Sequence, residues 1–289
     1  RHVAAGRVSR CELRQTISKS PRRAHVCGRA RRFATWNING IKARIDSLTA
    51  YLREQAPDVI GLQEIKTAQE AFPFEIFEDL GYNVAVCGQK GFNGVAIAAR
   101  VPLEDILKGL SGDDTDDQAR YIEATVPCPF GPVRFVSLYL PNGNPIGSEK
   151  FNYKLRWMAR LQARVRELLN LEMPVVLAGD YNVIPQPIDA KRPDAWIGDA
   201  LFQPESRAAL RRIESLGLTD AVRAYHPGSG IYTFWDYQAG AWNKDDGIRI
   251  DHILLSPQAA DHLTAAGVDR FTRSWEKPSD HAPVWVELT

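Results

Sequence analysis

Three observations predict a single mixed α/β domain over residues 32–289. Apolar runs of strand length alternate with amphipathic stretches of helix length. No linker-like stretch or short repeat interrupts the series. Of 289 residues, 44% are hydrophobic and 25% charged, with Gly and Pro scattered through the chain. That is the profile of a globular domain, not of collagen or low-complexity sequence.

The elements follow in order. Phe33–Asn37 reads as a strand, and Gly40–Gln55 as a helix with Ile41, Ile45, Leu48 and Leu52 on one face. Asp58–Leu62 is an apolar strand ending at Gln63-Glu64. Tyr82–Val86, Val95–Ala99, Tyr121–Val126 and Val133–Leu140 are strands set off by Gly/Pro turns. Ser148–Leu171 carries Phe151, Leu155, Met158, Leu161, Val165 and Leu168 at helical spacing, and Pro174 stops it. Val175–Ala178 is a strand, Glu205–Leu216 a helix, and Ile250–Leu255 and Val284–Leu288 the late strands.

The formal net charge of +1 conceals an uneven split. Residues 1–31 hold nine Lys/Arg against one acid, whereas the remainder holds 27 basic and 34 acidic residues. The main domain therefore does not look like a binder of nucleic acid by bulk charge; a cleft gathering carboxylates around a cation fits better. The basic extension has no hydrophobic periodicity and reads as a disordered tail, with a transit peptide or a phosphate-touching arm as alternatives. No apolar run approaches the roughly 18–20 residues of a membrane-spanning helix, so no membrane partner is expected. Four cysteines without CxxC spacing point to a reducing compartment. A bacterial cytoplasm is expected, or an organelle if the extension is a targeting signal.

Polar residues sit where strands end, the place where sites form in α/β sheets. GDYN (Gly179 to Asn182) puts Asp180 and Asn182 two apart on extended backbone, so both reach the same side; alone it is equally a turn cap. LQEIK (Leu62 to Lys66) sets Glu64 at the end of a buried run, as a ligand of a hard cation or as a first-turn helix acid. SDHAP (Ser279 to Pro283) joins Asp280 to His281, and Asp251 is the candidate to orient that imidazole. YTFWDYQAGAW (Tyr232 to Trp242) has five aromatic residues in eleven, which serve either the core or a splayed sugar, with Lys244 and Arg249 near enough in sequence to meet phosphates. YLPNG (Tyr139 to Gly143) offers a phenol and an amide, or simply a turn. GxxxxGK[ST], GxGxxG, HExxH and GxSxG are all absent, which removes P-loop hydrolases, Rossmann dehydrogenases and zincins and leaves nothing favouring a serine hydrolase.

Taken in order, TWNING (Thr35 to Gly40), LQEIK, LYLPNG, GDYN, YTFWDY, RIDHILLS (Arg249 to Ser256) and SDHAP resemble the exonuclease III family of AP endonucleases, within the endonuclease/exonuclease/phosphatase superfamily. The resemblance runs from about Phe33 to Leu288. It implies a four-layer α/β sandwich of the DNase I-like kind, with two mixed β-sheets face to face and helices outside. The implied reaction is hydrolysis of the phosphodiester 5′ to an abasic site, dependent on Mg²⁺ with Mn²⁺ as a substitute. A 3′→5′ exonuclease on duplex DNA and removal of 3′ blocks are similar reactions at the same centre.

Carried over by position, Glu64 matches the principal metal ligand, with Asn37, Asn39 and Asp280 around it. Many relatives have Asp where Asn39 stands. Asp180 matches the group that orients and deprotonates the attacking water, held by Asn182. His281 matches the phosphate-binding histidine oriented by Asp251. Tyr139 and Asn142 match phosphate contacts, and Arg249 is read as substrate-binding. Phe234 and Trp235 match the aromatic wall of a pocket for the abasic sugar, whose second wall near Ile248 is aliphatic here. Lys42, Arg44, Lys66, Lys90, Lys150 and Lys244 are the expected duplex-facing cations, and a monomer is the expected state. A non-specific DNase, a phosphatase of the same superfamily and a regulator that has lost catalysis are the competing readings. Glu64, Asp180 and His281 weigh against the last.

Overall fold

The computed structural model describes residues 29–289, so the expectations for the extension lie outside the described residues up to position 28. Four strands begin one sheet: β1 (Arg31–Asn37), β2 (Val59–Gln63), β3 (Asn83–Cys87) and β4 (Val95–Ala99). The next six form a second: β5 (Glu104–Lys108), β6 (Tyr121–Val126), β7 (Val133–Tyr139), β8 (Val175–Asp180), β9 (Thr219–Asp220) and β10 (Asp251–Leu255). The chain then returns to the first sheet with β11 (Leu263–Val268) and β12 (Val284–Leu288). The strand orders are β11-β12-β1-β2-β4-β3 and β5-β6-β7-β8-β10-β9. Each sheet has one parallel pair, β1 with β2 and β7 with β8.

Strand alternation sorts side chains into layers. Along β1, Phe33 joins Val59, Ile97, Phe135, Val176, Ile253 and Val286 in the core between the sheets. Its neighbours Ala34 and Trp36 face the other way, onto α1 (Ile45–Glu54) and α2 (Phe74–Asp79) with Leu48, Tyr51, Leu52 and Phe77. On the far side, α3 (Glu149–Leu169) and α4 (Pro204–Glu214) lay Trp157, Leu161, Val165, Leu210 and Ile213 against Val136, Leu138, Val175 and Leu177. Two short helices, α5 (Ala221–Tyr225) and α6 (Pro257–Ala260), flank β10. The result is the four-layer sandwich expected from the sequence. The sheets approach so closely at Gly61 that a Cβ there would stand 2.9 Å from the Ser137 side chain.

Two differences have physical causes. Arg31, counted with the extension, is the first residue of β1, pairs with Leu288 and donates to Asp58 Oδ1 at 2.7 Å. β5, β9 and β11, three of the four edge strands, were not expected, because they bury little and carry no continuous apolar run; β5 reads EDILK and is largely exposed. Among the described residues no helix is long and apolar enough to cross a membrane.

The parallel pairs decide where function lies. β1 and β2 end together, as do β7 and β8, while β4, β6, β10 and β12 start at that same edge because they run antiparallel to their neighbours. Every motif of the sequence therefore opens onto one rim.

Candidate active site

The backbone leaves each strand by an unusual turn. Asn39, Glu64, Lys66 and Asn182 all have left-handed φ, between 46° and 53°. Non-glycine residues pay strain for that conformation, and such outliers cluster at working sites. Here they fold the strand ends inward.

Asn37, fully buried at the end of β1, is the hub: its Nδ2 donates to Glu64 Oε1 at 3.0 Å and to Asp180 Oδ2 at 2.9 Å. One amide thus ties the first sheet to the second. Its Oδ1 accepts from the Asn39 backbone N–H, and Asn39 Nδ2 donates to Asp280 Oδ1 at 3.0 Å. The Lys66 ammonium lies 2.5 Å from Asn39 Oδ1 and 3.0 Å from Glu64 Oε2. Burial works against ionisation of Glu64, but the Asn37 amide and Lys66 outweigh it and hold this carboxyl below its ordinary pKa.

Asp180 is 1% exposed. Its Oδ1 accepts from the Asn182 backbone N–H at 2.9 Å, and Asn182 Nδ2 donates to Leu140 O. His281 Nε2 faces Asp180 Oδ2 at 3.8 Å, while His281 Nδ1 and Asp251 Oδ2 are 2.8 Å apart. Burial, then the Asp251 charge, lifts Asp180 to about 7. For His281 burial pulls downward, but Asp251 and Asp180 outweigh it and raise the imidazole to about 10. Between the two, the imidazole is therefore the group that holds its proton more firmly. Tyr139 is largely buried; desolvation, then Glu64 and Asp180, keep its phenol protonated. Asn142 is exposed on the loop after β7, with Nδ2 3.4 Å from Asn182 Oδ1. Phe234 sets its ring edge-on to His281, centroids 5.0 Å apart, and bridges both Ile248 and His281 through its backbone.

Two expectations are corrected. Arg249 does not reach substrate: it is 1% exposed, with Nε on Asp189 Oδ1 and Nη1 on Asp220 Oδ2, both at 2.7 Å. The segment around Asp189 folds over it and supplies the charge it needs. Trp235 is not a wall of the pocket: it is fully buried among Tyr232, Ala282 and Trp242, with Nε1 donating to Asp245. Adjacent residues on extended backbone face opposite ways, so with Phe234 at the rim Trp235 turns inward. A cavity of about 320 Å³ opens beside Phe234, lined by Trp196, Arg192, Asp236 and Gln238 among others. Trp196 gave no motif signal. Sequence reasoning also passed over Ser279, whose Oγ donates to Asn37 O at 2.6 Å and accepts from the His281 N–H.

The donors suit a hard divalent cation. Asp180, Asp251 and His281 also converge, with one polar atom each within 4.8 Å of the others, but the imidazolium there has no lone pair for a metal, which leaves a cation to the Glu64 side of the site. At the neighbouring Glu64 and Asn39 oxygens a lysine ammonium is already accommodated.

The sequence model of the endonuclease/exonuclease/phosphatase family matches residues 34–281. The chain belongs to that family. Within the endonuclease/exonuclease/phosphatase family it is similar to exodeoxyribonuclease III of Haemophilus influenzae, 38% identical over 265 residues that cover 89% of this chain and 99% of that one. An AP endonuclease from Archaeoglobus fulgidus superposes with a TM-score of 0.85 at 36% identity, covering 89% of this chain and 99% of its own. A 3′ phosphatase from Neisseria bound to a product DNA hairpin superposes at 0.87 with 37% identity, covering 90% and 100%. This member of the family is a phosphodiester hydrolase, a nuclease of DNA repair.

Proposed function

We propose that the enzyme incises duplex DNA on the 5′ side of abasic sites, leaving a 3′-hydroxyl, and cleans blocked 3′ ends at the same centre. The observation that carries this reading is the line Asp251–His281–Asp180–Asn37–Glu64 with Phe234 edge-on to the imidazole. Asp180 takes the proton of the attacking water; burial brings it toward the operating pH, where a general base is most effective. Asn182 holds that water from beside Asp180. The His281 imidazolium, fixed by Asp251, meets a non-bridging phosphate oxygen and stabilises the charge that develops there. Tyr139 and Asn142 donate to the remaining oxygens.

Glu64, with Asn37, Asn39 and Asp280, would hold Mg²⁺ (or Mn²⁺). When bound it supplies neutralising charge at the scissile phosphate. An abasic nucleotide has no base to unstack, so its extrusion costs less than the few kcal/mol typical of an intact one. The cavity beside Phe234 and Trp196 receives the extruded sugar. All these groups come from one chain, which supports a monomer as the working unit.

The test is a labelled duplex with one abasic analogue beside an intact duplex, each with Mg²⁺ or EDTA. Incision immediately 5′ of the analogue, abolished by EDTA and by Asp180→Ala, is expected. Digestion or dephosphorylation of 3′ ends alone would instead place the enzyme with the 3′ phosphatase it resembles.

A further inference from the structure

α3 buries a lysine where its stripe calls for an apolar residue. Lys154 is 0% exposed, and its Nζ donates to two backbone carbonyls, Asn142 O at 3.0 Å and Asn182 O at 2.6 Å. Among the described residues no carboxylate lies within ion-pair distance of it. A buried ammonium held by carbonyls alone is costly, and a methionine would fill the same slot without that cost. Its two acceptors belong to the residues that follow β7 and β8, the loops that bring Asn142 and Asn182 to the rim.

The surroundings are fitted to this contact. Asn182 has φ +46°, which turns its carbonyl inward to Lys154 while its side chain stays beside Asp180. Gly143, at φ +90°, lies across the lysine stem so closely that a Cβ would stand 2.6 Å from Lys154 Cδ. Asp180 and Asp199 favour the charged form, although burial brings the ammonium down to about 7.

We propose that Lys154 is a positioning residue for phosphodiester hydrolysis: its ammonium clamps the main chain of Asn142 to that of Asn182, fixing the phosphate-contacting amide relative to the water-holding one. It touches neither substrate nor Asp180 and acts only through the two loops. The proposal rests on Asn142 and Asn182 working as described above. Misplacing reacting groups by about 1 Å costs on the order of 10²-fold in rate.

The experiment compares wild type, Lys154→Met and Lys154→Arg on abasic duplex and on 3′-end digestion of intact duplex, with folding followed by circular dichroism and Tm. Lys154→Met is expected to fold and to lose about 10- to 100-fold in kcat on whichever substrate the wild type turns over, with KM within about twofold. Lys154→Arg keeps donors for both carbonyls and is expected to recover most of the loss at a Tm no higher than that of Lys154→Met. Unchanged kcat in a folded Lys154→Met, a loss confined to KM, or an Arg variant no better than Met overturns the proposal. If Lys154→Met does not fold, Lys154→Gln takes its place with the same expectation; failure of both to fold also overturns it, because the ammonium then serves the fold as a whole. Wild type that digests 3′ ends but ignores the abasic site overturns the incision reading alone, and the Lys154 comparison is then made on the ends.

Discussion

Asp251 and His281 show what a single contact contributes. The 2.8 Å approach to Nδ1 orients the ring and favours its charged form, so that Nε2 also carries a proton and points it toward the phosphate. Asp251→Asn keeps the shape and loses the charge; we expect a folded protein with kcat lower by roughly 10²–10⁴-fold, read from steady-state incision. Asn142→Ala removes one neutral donor from an exposed loop and is expected to cost about 10-fold. At this scale the sequence was legible wherever a polar residue ends a strand: Asn37, Glu64, Asp180 and His281 meet as their motifs imply. It misled where the direction of a side chain decides. Trp235 and Arg249 lie beside site residues in the chain yet face the interior. Lys154 left a signal that went unread, a cation on the same helix face as Trp157, Met158 and Leu161.

Elements hold the residues in place through close backbone contacts. Gly179 opens the GDYN turn within β8, and a Cβ there would stand 2.1 Å from Leu138 O on the parallel neighbour β7. Gly179→Ala must spread β7 from β8 and carry Asp180 with it. We expect a loss of about 2–3 kcal/mol by denaturant titration, together with lowered kcat. On α4, Glu214 is raised to about 7, first by burial and then by Asp220. A raised carboxyl favours the fold most at low pH, so stability declines as pH climbs from the ordinary glutamate value through 7. Because Glu214 is half-buried, Glu214→Gln should remove only about 1 kcal/mol of the difference between pH 5 and pH 8; equal slopes for the two proteins would refute this. Central strands and α3 were legible to within two residues because both faces of the sheets carry regular apolar patterns. Of the four edge strands only β3 was legible, from its apolar run; β5, β9 and β11 are short or partly exposed and carry no such pattern.

For the whole molecule, the uneven charge meets a polyanionic substrate. Lys42, Lys90, Lys150 and Lys244 all lie in segments that open onto the active rim, and on the proposed reading they are where the duplex backbone is expected to meet the protein despite the acidic remainder. Log affinity for duplex should fall with log salt at a slope of roughly −3 to −5, the value for about four neutralised phosphates; a flat salt dependence would refute the patch. Neither sheet owns the chemistry. Asn37, Glu64 and His281 come from one, and Asp180, Asn182 and Asp251 from the other, joined by the bonds Asn37–Asp180 and His281–Asp251. The last of these groups to be synthesised, His281, arrives just before β12, which slots between β11 and the very first strand. The complete site therefore cannot assemble until β12 has been made and has closed the first sheet over β1, so a growing chain is expected to gain its activity all at once and late.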